Sequence, residues 1–171
     1  QYTIDDLDEV DLTLCGTKHI GNLVIDIVDS VRDYSNLLQD IFDFESMAKA
    51  IKNGLTVKFD GLHGITGPYA KDIFCRLLGA PADSLLNSIP LPDFGGGHPD
   101  PKPVDVPGLY ELALSDNSPS LLAASDGDGD RNMVLVPGQM VSPGDSLAIM
   151  LANATLIPGY KKGIAGVARS M

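Results

Sequence analysis

The sequence has 171 residues, 44% hydrophobic and 20% charged, with 23 acidic against 12 basic side chains and a formal net charge of −11. This length excludes two complete large domains, and the apolar content excludes intrinsic disorder, because enough surface can be buried to offset chain entropy. The acidic balance excludes nucleic acid and anionic membranes as partners, since both require clustered Lys and Arg.

Cys15 and Cys75 are the only cysteines and lie far apart, so neither a disulfide scaffold nor a multi-cysteine zinc site is indicated. No stretch approaches the ~20 apolar residues of a membrane helix, and the opening Asp5-Asp6-Leu7-Asp8-Glu9 is unlike a signal peptide. A cytoplasmic enzyme fits these properties. The first residue, Gln1 rather than Met, suggests a piece of a longer chain.

Residues 1–21 read as an acidic connector without sustained helical period. Asn22 to Val28 is a β-branched run of strand length. Asp29-Ser30 then supplies a cap, and Val31, Tyr34, Leu37, Leu38 and Ile41 recur at helical spacing. A second helix is predicted from Phe44 to Ile51, stopped by Asn53-Gly54. Leu55 to Asp60 is a short strand leading into Gly61-Leu62-His63-Gly64, followed by a helix from Gly67-Pro68 to Leu78.

Ser84 to Ile89 is predicted as a strand, and Pro90 to Pro107 as a long Pro-, Gly- and Asp-rich loop. A short helix at Leu109 to Leu114 precedes the strand Leu121 to Ala124. Asn132 to Val136 resumes as strand and turns at Pro137-Gly138. Ser142-Pro143-Gly144-Asp145 places Ser at N-cap, Pro at N1 and Asp at N3 of a helix reaching about Ala154. Gly163 to Ala168 is predicted as a last strand. The expected architecture is an α/β, three-layer αβα domain over 22–141 with a mostly parallel mixed sheet, followed at 142–171 by the first elements of a second, similar domain.

Between two predicted strands stands Ser125-Asp126-Gly127-Asp128-Gly129-Asp130-Arg131. Acids spaced by two with glycine between them converge as the loop curls, and three carboxylates so close repel unless a cation binds. Oxygen ligands of this kind select Mg²⁺, Mn²⁺ or Ca²⁺ over zinc. The bland alternative is an ordinary Asp-Gly surface turn. An EF-hand is excluded, because its required Gly and Glu positions fall on Arg131 and Pro137. A haloacid-dehalogenase phosphatase fragment is a further alternative, although it would need Thr or Val in place of Asp130 and a large domain after it, where 41 residues follow.

Arg131 reads either as a salt-bridge partner for these acids or as a fork aimed at a phosphoryl group. His63 and His98 read as hydrogen-bonding anchors of Gly-rich loops, and Gly95-Gly96-Gly97 as a tight loop rather than a phosphate cradle.

Ser125 to Met133 resembles the metal-binding loop of the α-D-phosphohexomutase superfamily, and of its phosphoglucomutase family in particular. Asp60 to Tyr69 is similar to that family's aspartate-x-methionine-histidine-glycine stretch, and Pro92 to Pro101 to its long loop. Ser142 to Ser146 and Ala168-Arg169-Ser170-Met171 resemble the start of its third domain. The likeness runs over nearly the whole chain from about Gly21.

The resemblance implies that Asp126, Asp128 and Asp130 hold Mg²⁺, that Arg131 stands beside the reacting centre, and that a phosphoserine exchanges its phosphoryl group with a hexose phosphate. Glucose 1-phosphate and glucose 6-phosphate would interconvert through glucose 1,6-bisphosphate. Departures are Lys102, where the family usually has Asn, and Ser120-Leu121-Leu122, where it has Asp-Phe-Gly. The family's serine loop, sugar loop and phosphate-binding domain are not among these residues, so the chain alone is expected to have no turnover. A competing expectation is a non-catalytic, metal-stabilised binding module.

Overall fold

The computed structural model describes residues 10–168. The first nine residues of the expected connector, and Arg169-Ser170-Met171 of the expected domain start, lie outside them. The described chain begins with the antiparallel hairpin β1 (Gly16–Ile20) and β2 (Leu23–Ile27). Gly16–Ile20 therefore pairs as a strand inside the segment read as connector. Its signal is the two-residue turn Gly21-Asn22, where Gly21 at φ +58° supplies the left-handed backbone such a hairpin needs.

Helices α1 (Ser30–Ile41) and α2 (Phe44–Lys52) each start at an aspartate. Asp29 accepts from the Arg32 amide at 3.1 Å and Asp43 from the Ser46 amide at 2.9 Å. Each carboxylate satisfies a backbone N–H that the first helical turn leaves unpaired. After β3 (Val57–Asp60), helix α3 begins at Thr66–Ala70 and continues over Lys71–Leu77 with the wider i→i+5 bonding of a π-helix.

The strand predicted from Ser84 to Ile89 shrinks to β4 (Leu85–Leu86). Asn87 ends it by adopting φ +44°, a conformation that a strand cannot contain, and spends its amide on Asp60. Helix α4 (Pro107–Leu114) starts two residues earlier than expected because Pro107 occupies its first turn, where the missing N–H costs nothing.

β5 (Leu121–Ser125), β6 (Asn132–Val136) and β7 (Gln139–Val141) follow, then α5 (Pro143–Ala152) with Ser142 accepting from the Asp145 amide at 3.1 Å. The strand expected over Gly163–Ala168 does not form: those residues are irregular, and a strand persists only where a neighbour completes its ladder. Among the described residues no helix is long and apolar enough to cross a membrane.

The main sheet has the order β4-β3-β5-β6-β7. The β3–β4 and β3–β5 pairings are parallel, and the β5–β6 and β6–β7 pairings antiparallel. Register puts Leu122 opposite Leu135 and Ala124 opposite Met133, so these four share one face. Leu109 and Ala113 of α4 pack there, with Val106 and Leu62. On the other face Phe59 meets Phe74 of α3 at 5.6 Å between ring centroids. Helices thus cover both faces, giving the αβα layering.

α1 is fastened outside α3 by an edge-on Tyr34–Tyr69 contact at 5.5 Å and by the Ser35 hydroxyl, which donates to Asp72 at 2.6 Å. Arg76 also holds Asp72 through two hydrogen bonds.

Leu122 and Leu135 are completely buried, so Leu122→Ala removes contacts that the close-packed face cannot replace. Its expected cost is about 2–5 kcal/mol, read as a lower urea midpoint with an unchanged slope. The Arg76 hydrogen bonds lower the Asp72 carboxyl below its ordinary value; burial opposes them and the Ser35 hydroxyl assists. Because the folded-state value is depressed, the stabilisation is present above the unfolded pKa of ~3.9 and is lost as pH falls through the folded value. Asp72→Asn is therefore expected to lower the melting temperature at pH 7, with the gap to the parent closing in melts taken at progressively more acidic pH.

Candidate metal centre and its arginine

β3 and β5 run parallel with Asp60 level with Ala124, so the turns that leave their carboxyl ends emerge side by side. In open α/β sheets that edge is where ligands bind. One turn is Gly61–Gly64. The other is the aspartate loop, which joins β5 to β6 and is closed by a reciprocal pair: the Asp126 amide donates to the Arg131 carbonyl at 3.2 Å, and the Arg131 amide to Asp126 Oδ1 at 2.9 Å.

The loop is gripped on both sides. The Ile65 amide donates to the Gly127 carbonyl at 3.0 Å, and the Gly127 amide to the Pro99 carbonyl at 3.2 Å. Below it, the hydroxyls of Thr66 and Ser125 are 2.6 Å apart. Two glycines are demanded by this closeness. A Cβ on Gly64 would lie 2.7 Å from the Gly127 carbonyl oxygen, and one on Gly127 would lie 2.9 Å from the Phe94 ring.

Asp126, Asp128 and Asp130 each present an oxygen, and the three oxygens lie within 4.8 Å of one another. Asp126 is fully buried, whereas Asp128 and Asp130 are exposed. Burial alone would raise the Asp126 carboxyl, but the Arg131 amide and guanidinium, with hydrogen bonds involving Asp128 and Asp130, outweigh it and hold the group below its ordinary value. Asp130 is pushed up, first by its hydrogen bond with Asp126 and then by the negative charges of Asp128 and Asp126. The donor set is all oxygen and carries more negative charge than one guanidinium can balance, which fits a hard divalent cation.

Of the two readings of Arg131, the salt-bridge partner is the one the geometry displays. Its Nε donates to Asp126 Oδ2 at 2.8 Å and one terminal nitrogen to Asp100 Oδ1 at 3.1 Å, yet its side chain remains 62% exposed. The hydrogen bond to Asp126 is the main cause that raises its already high pKa. His63 anchors its loop, its Nδ1 donating to the Ile89 carbonyl at 2.8 Å, from a backbone at φ +54°. His98 likewise bonds Asp105 at 3.2 Å.

A second cluster, His98, Asp100 and Asp105, also brings ligand atoms within 4.8 Å. Lys102 sits within it, with Nζ 2.8 Å from Asp100 and 3.2 Å from Asp105, and Arg131 also donates to Asp100, so both carboxylates already have cationic partners. Asp100 and Lys102 were not singled out as site residues from sequence; the available signal was a lysine, Lys102, standing among the aspartates of the long loop. Phe94 and Pro99, which flank the tight Gly95-Gly96-Gly97 turn of that loop, form one wall of the aspartate loop.

The fold and site together define an αβα domain with a hard-cation donor set and a half-exposed arginine at the carboxyl edge of its sheet. Residues 32–139 match the family model described as phosphoglucomutase/phosphomannomutase, alpha/beta/alpha domain II. The chain belongs to the phosphoglucomutase/phosphomannomutase family.

It is 48% identical over 170 residues to a phosphoglucomutase of Rhizobium radiobacter, covering 99% of this chain and 31% of that protein. It is 50% identical over 173 residues to a phosphoglucomutase of Emericella nidulans, again covering 99% and 31%. The crystal structure of the exocytosis-sensitive phosphoprotein pp63/parafusin, a phosphoglucomutase of Paramecium in its open form, superposes with a TM-score of 0.84 at 42% identity over 92% of this chain and 30% of that one. The chain thus spans about a third of the length of these relatives. They lend no support to the haloacid-dehalogenase alternative.

The grip on the loop makes Gly64 sensitive. Gly64→Ala is expected to push the Gly127 carbonyl away and to cost about 1–3 kcal/mol. In amide hydrogen exchange, Ile65 should lose protection by about tenfold more than Leu135 does.

Proposed function

We propose that this chain is the cation-binding domain of a phosphoglucomutase that interconverts glucose 1-phosphate and glucose 6-phosphate, with Mg²⁺ held by Asp126, Asp128 and Asp130. The observation that carries the reading is the convergence of three carboxylates beside an arginine that is only partly committed to them. The names of the relatives support the reaction and the hexose phosphate substrate. When bound, the cation supplies Lewis-acid polarisation of a phosphoryl oxygen.

The residues divide the work. Asp126, buried and kept ionised, gives a fixed ligand at the root of the loop, while the exposed Asp128 and Asp130 can adjust at its rim. Arg131 keeps unpaired N–H groups beyond those used on Asp126 and Asp100, and a guanidinium fork suits a phosphoryl oxygen in both shape and charge. Positioned charge of this kind is the main protein contribution to phosphoryl transfer. The phosphorylated serine and the sugar contacts are proposed to lie on the rest of the parent enzyme, with glucose 1,6-bisphosphate as its intermediate. Residues 22–141 form the cation domain in this reading, and those from 142 onward begin the next.

The test is Asp128→Asn in the complete protein that carries this sequence, assayed for conversion of glucose 1-phosphate with Mg²⁺. Turnover should fall roughly 100-fold or more, the kinetic equivalent of losing several kcal/mol of charge stabilisation. The melting temperature of the metal-free protein should hold or rise, because one of three repelling charges is gone. Intact turnover with lost stability would instead favour a metal-stabilised module without a catalytic part.

A further inference from the structure

We infer that Asp100, tethered by Lys102, is a positioning residue that sets the guanidinium of Arg131 for the transferring phosphoryl group; this rests on the function proposed above. The two oxygens of Asp100 have different partners. Oδ1 accepts from a terminal nitrogen of Arg131 at 3.1 Å, and Oδ2 lies 2.8 Å from Lys102 Nζ. Lys102 is held in turn at 3.2 Å from Asp105, which also takes the His98 ring.

This sharing has a geometric result. A free aspartate would take an arginine side-on with both oxygens and consume two of its N–H groups. Lys102 occupies one oxygen, so Asp100 can offer Arg131 only the other. The guanidinium is then pinned at two points on different elements, Nε on Asp126 and one terminal nitrogen on Asp100. Two pins fix the plane of the group, and the other terminal nitrogen is left to face outward.

The second pin also restrains where the positive charge goes. Asp130 already lies 3.5 Å from Arg131 Nε. Without Asp100, the freed end of the guanidinium can swing onto the exposed carboxylates of Asp128 and Asp130, where it would compete with a cation for the same oxygens. Asp100 occupies that end instead, so that cation and arginine act on a phosphoryl group from separate positions. Asp100 is 23% and Asp105 17% exposed, so the tether is partly shielded from solvent, whereas Lys102 reaches in from the rim.

The experiment uses the complete protein, with Asp100→Asn, Asp100→Glu, Lys102→Met and Arg131→Lys as single variants and Asp100→Asn/Arg131→Lys as the double. Asp100→Asn should lower kcat about tenfold with KM for glucose 1-phosphate nearly unchanged, and should weaken Mg²⁺ binding about threefold in titration calorimetry. Lys102→Met should lower kcat by a smaller factor with Mg²⁺ affinity held, because the freed Asp100 still keeps the guanidinium off the exposed aspartates, and Asp100→Glu should recover part of the loss of Asp100→Asn. Because Asp100 acts through Arg131, the double variant should be no more than about twofold slower than Arg131→Lys alone.

Losses that multiply in the double variant, or wild-type kcat and Mg²⁺ affinity in Asp100→Asn, would overturn the inference while leaving the function of the domain intact. Wild-type turnover in Arg131→Lys would instead remove the role of the arginine itself, and the inference with it. Melting temperatures identify a variant that fails to fold; Lys102→Met, nearer the surface, then carries the kinetic and calorimetric comparison.

Discussion

The ion pair between Asp126 and Arg131 is the constraint around which the rest of the site is arranged. Both residues belong to one short hairpin, and each uses backbone as well as side chain to hold the other. A buried carboxylate without such partners would be costly enough to take up a proton. With them, Asp126 stays ionised at the foot of the loop, and the two outer aspartates are carried to positions beside it. The loop is consequently a charged structure closed by the Asp126–Arg131 pair within it and held in place by backbone hydrogen bonds to two other turns.

Those turns explain why the surrounding fold is needed. The parallel pairing of β3 with β5 brings Gly61–Gly64 alongside the aspartate loop. The 90–107 segment is held against the other side by the Pro99 carbonyl and the Phe94 ring. Leu62 links this assembly to the α4 core, since it is buried with Leu109 and Ala113 although its backbone has φ +48°. A non-glycine residue in that region costs about 1–2 kcal/mol, which burial of the side chain can offset.

Most elements were legible from local chemistry. Helix starts at Asp29, Asp43 and Ser142, and the strands on either side of the aspartate loop, follow from caps and apolar runs that lie close together in sequence. What could not be read depends on partners distant in sequence. β1 and β7 are short and partly polar, and exist because a neighbouring strand completes their ladders. Gly163–Ala168 has the residues of a strand but no such ladder among the described residues. In the site, the aspartates and Arg131 announced themselves by spacing and by likeness to a known motif. The link from Asp100 to Arg131 did not, because 31 residues separate the two and only the folded chain brings them together.

Parallel pairing also governs when this site can exist. Val57 is registered with Leu121, and Ile65 bonds Gly127, so the contacts that shape the loop close segments of more than sixty residues. Closing such segments costs entropy before any compensating contact forms, and non-local pairings are accordingly slow steps in folding. The hairpin that carries the aspartates can form early from local contacts, but its final shape must wait for β3 and the 90–107 loop to arrive. The arrangement that gathers the three carboxylates thus depends on long-range closure as much as on the hairpin's own sequence.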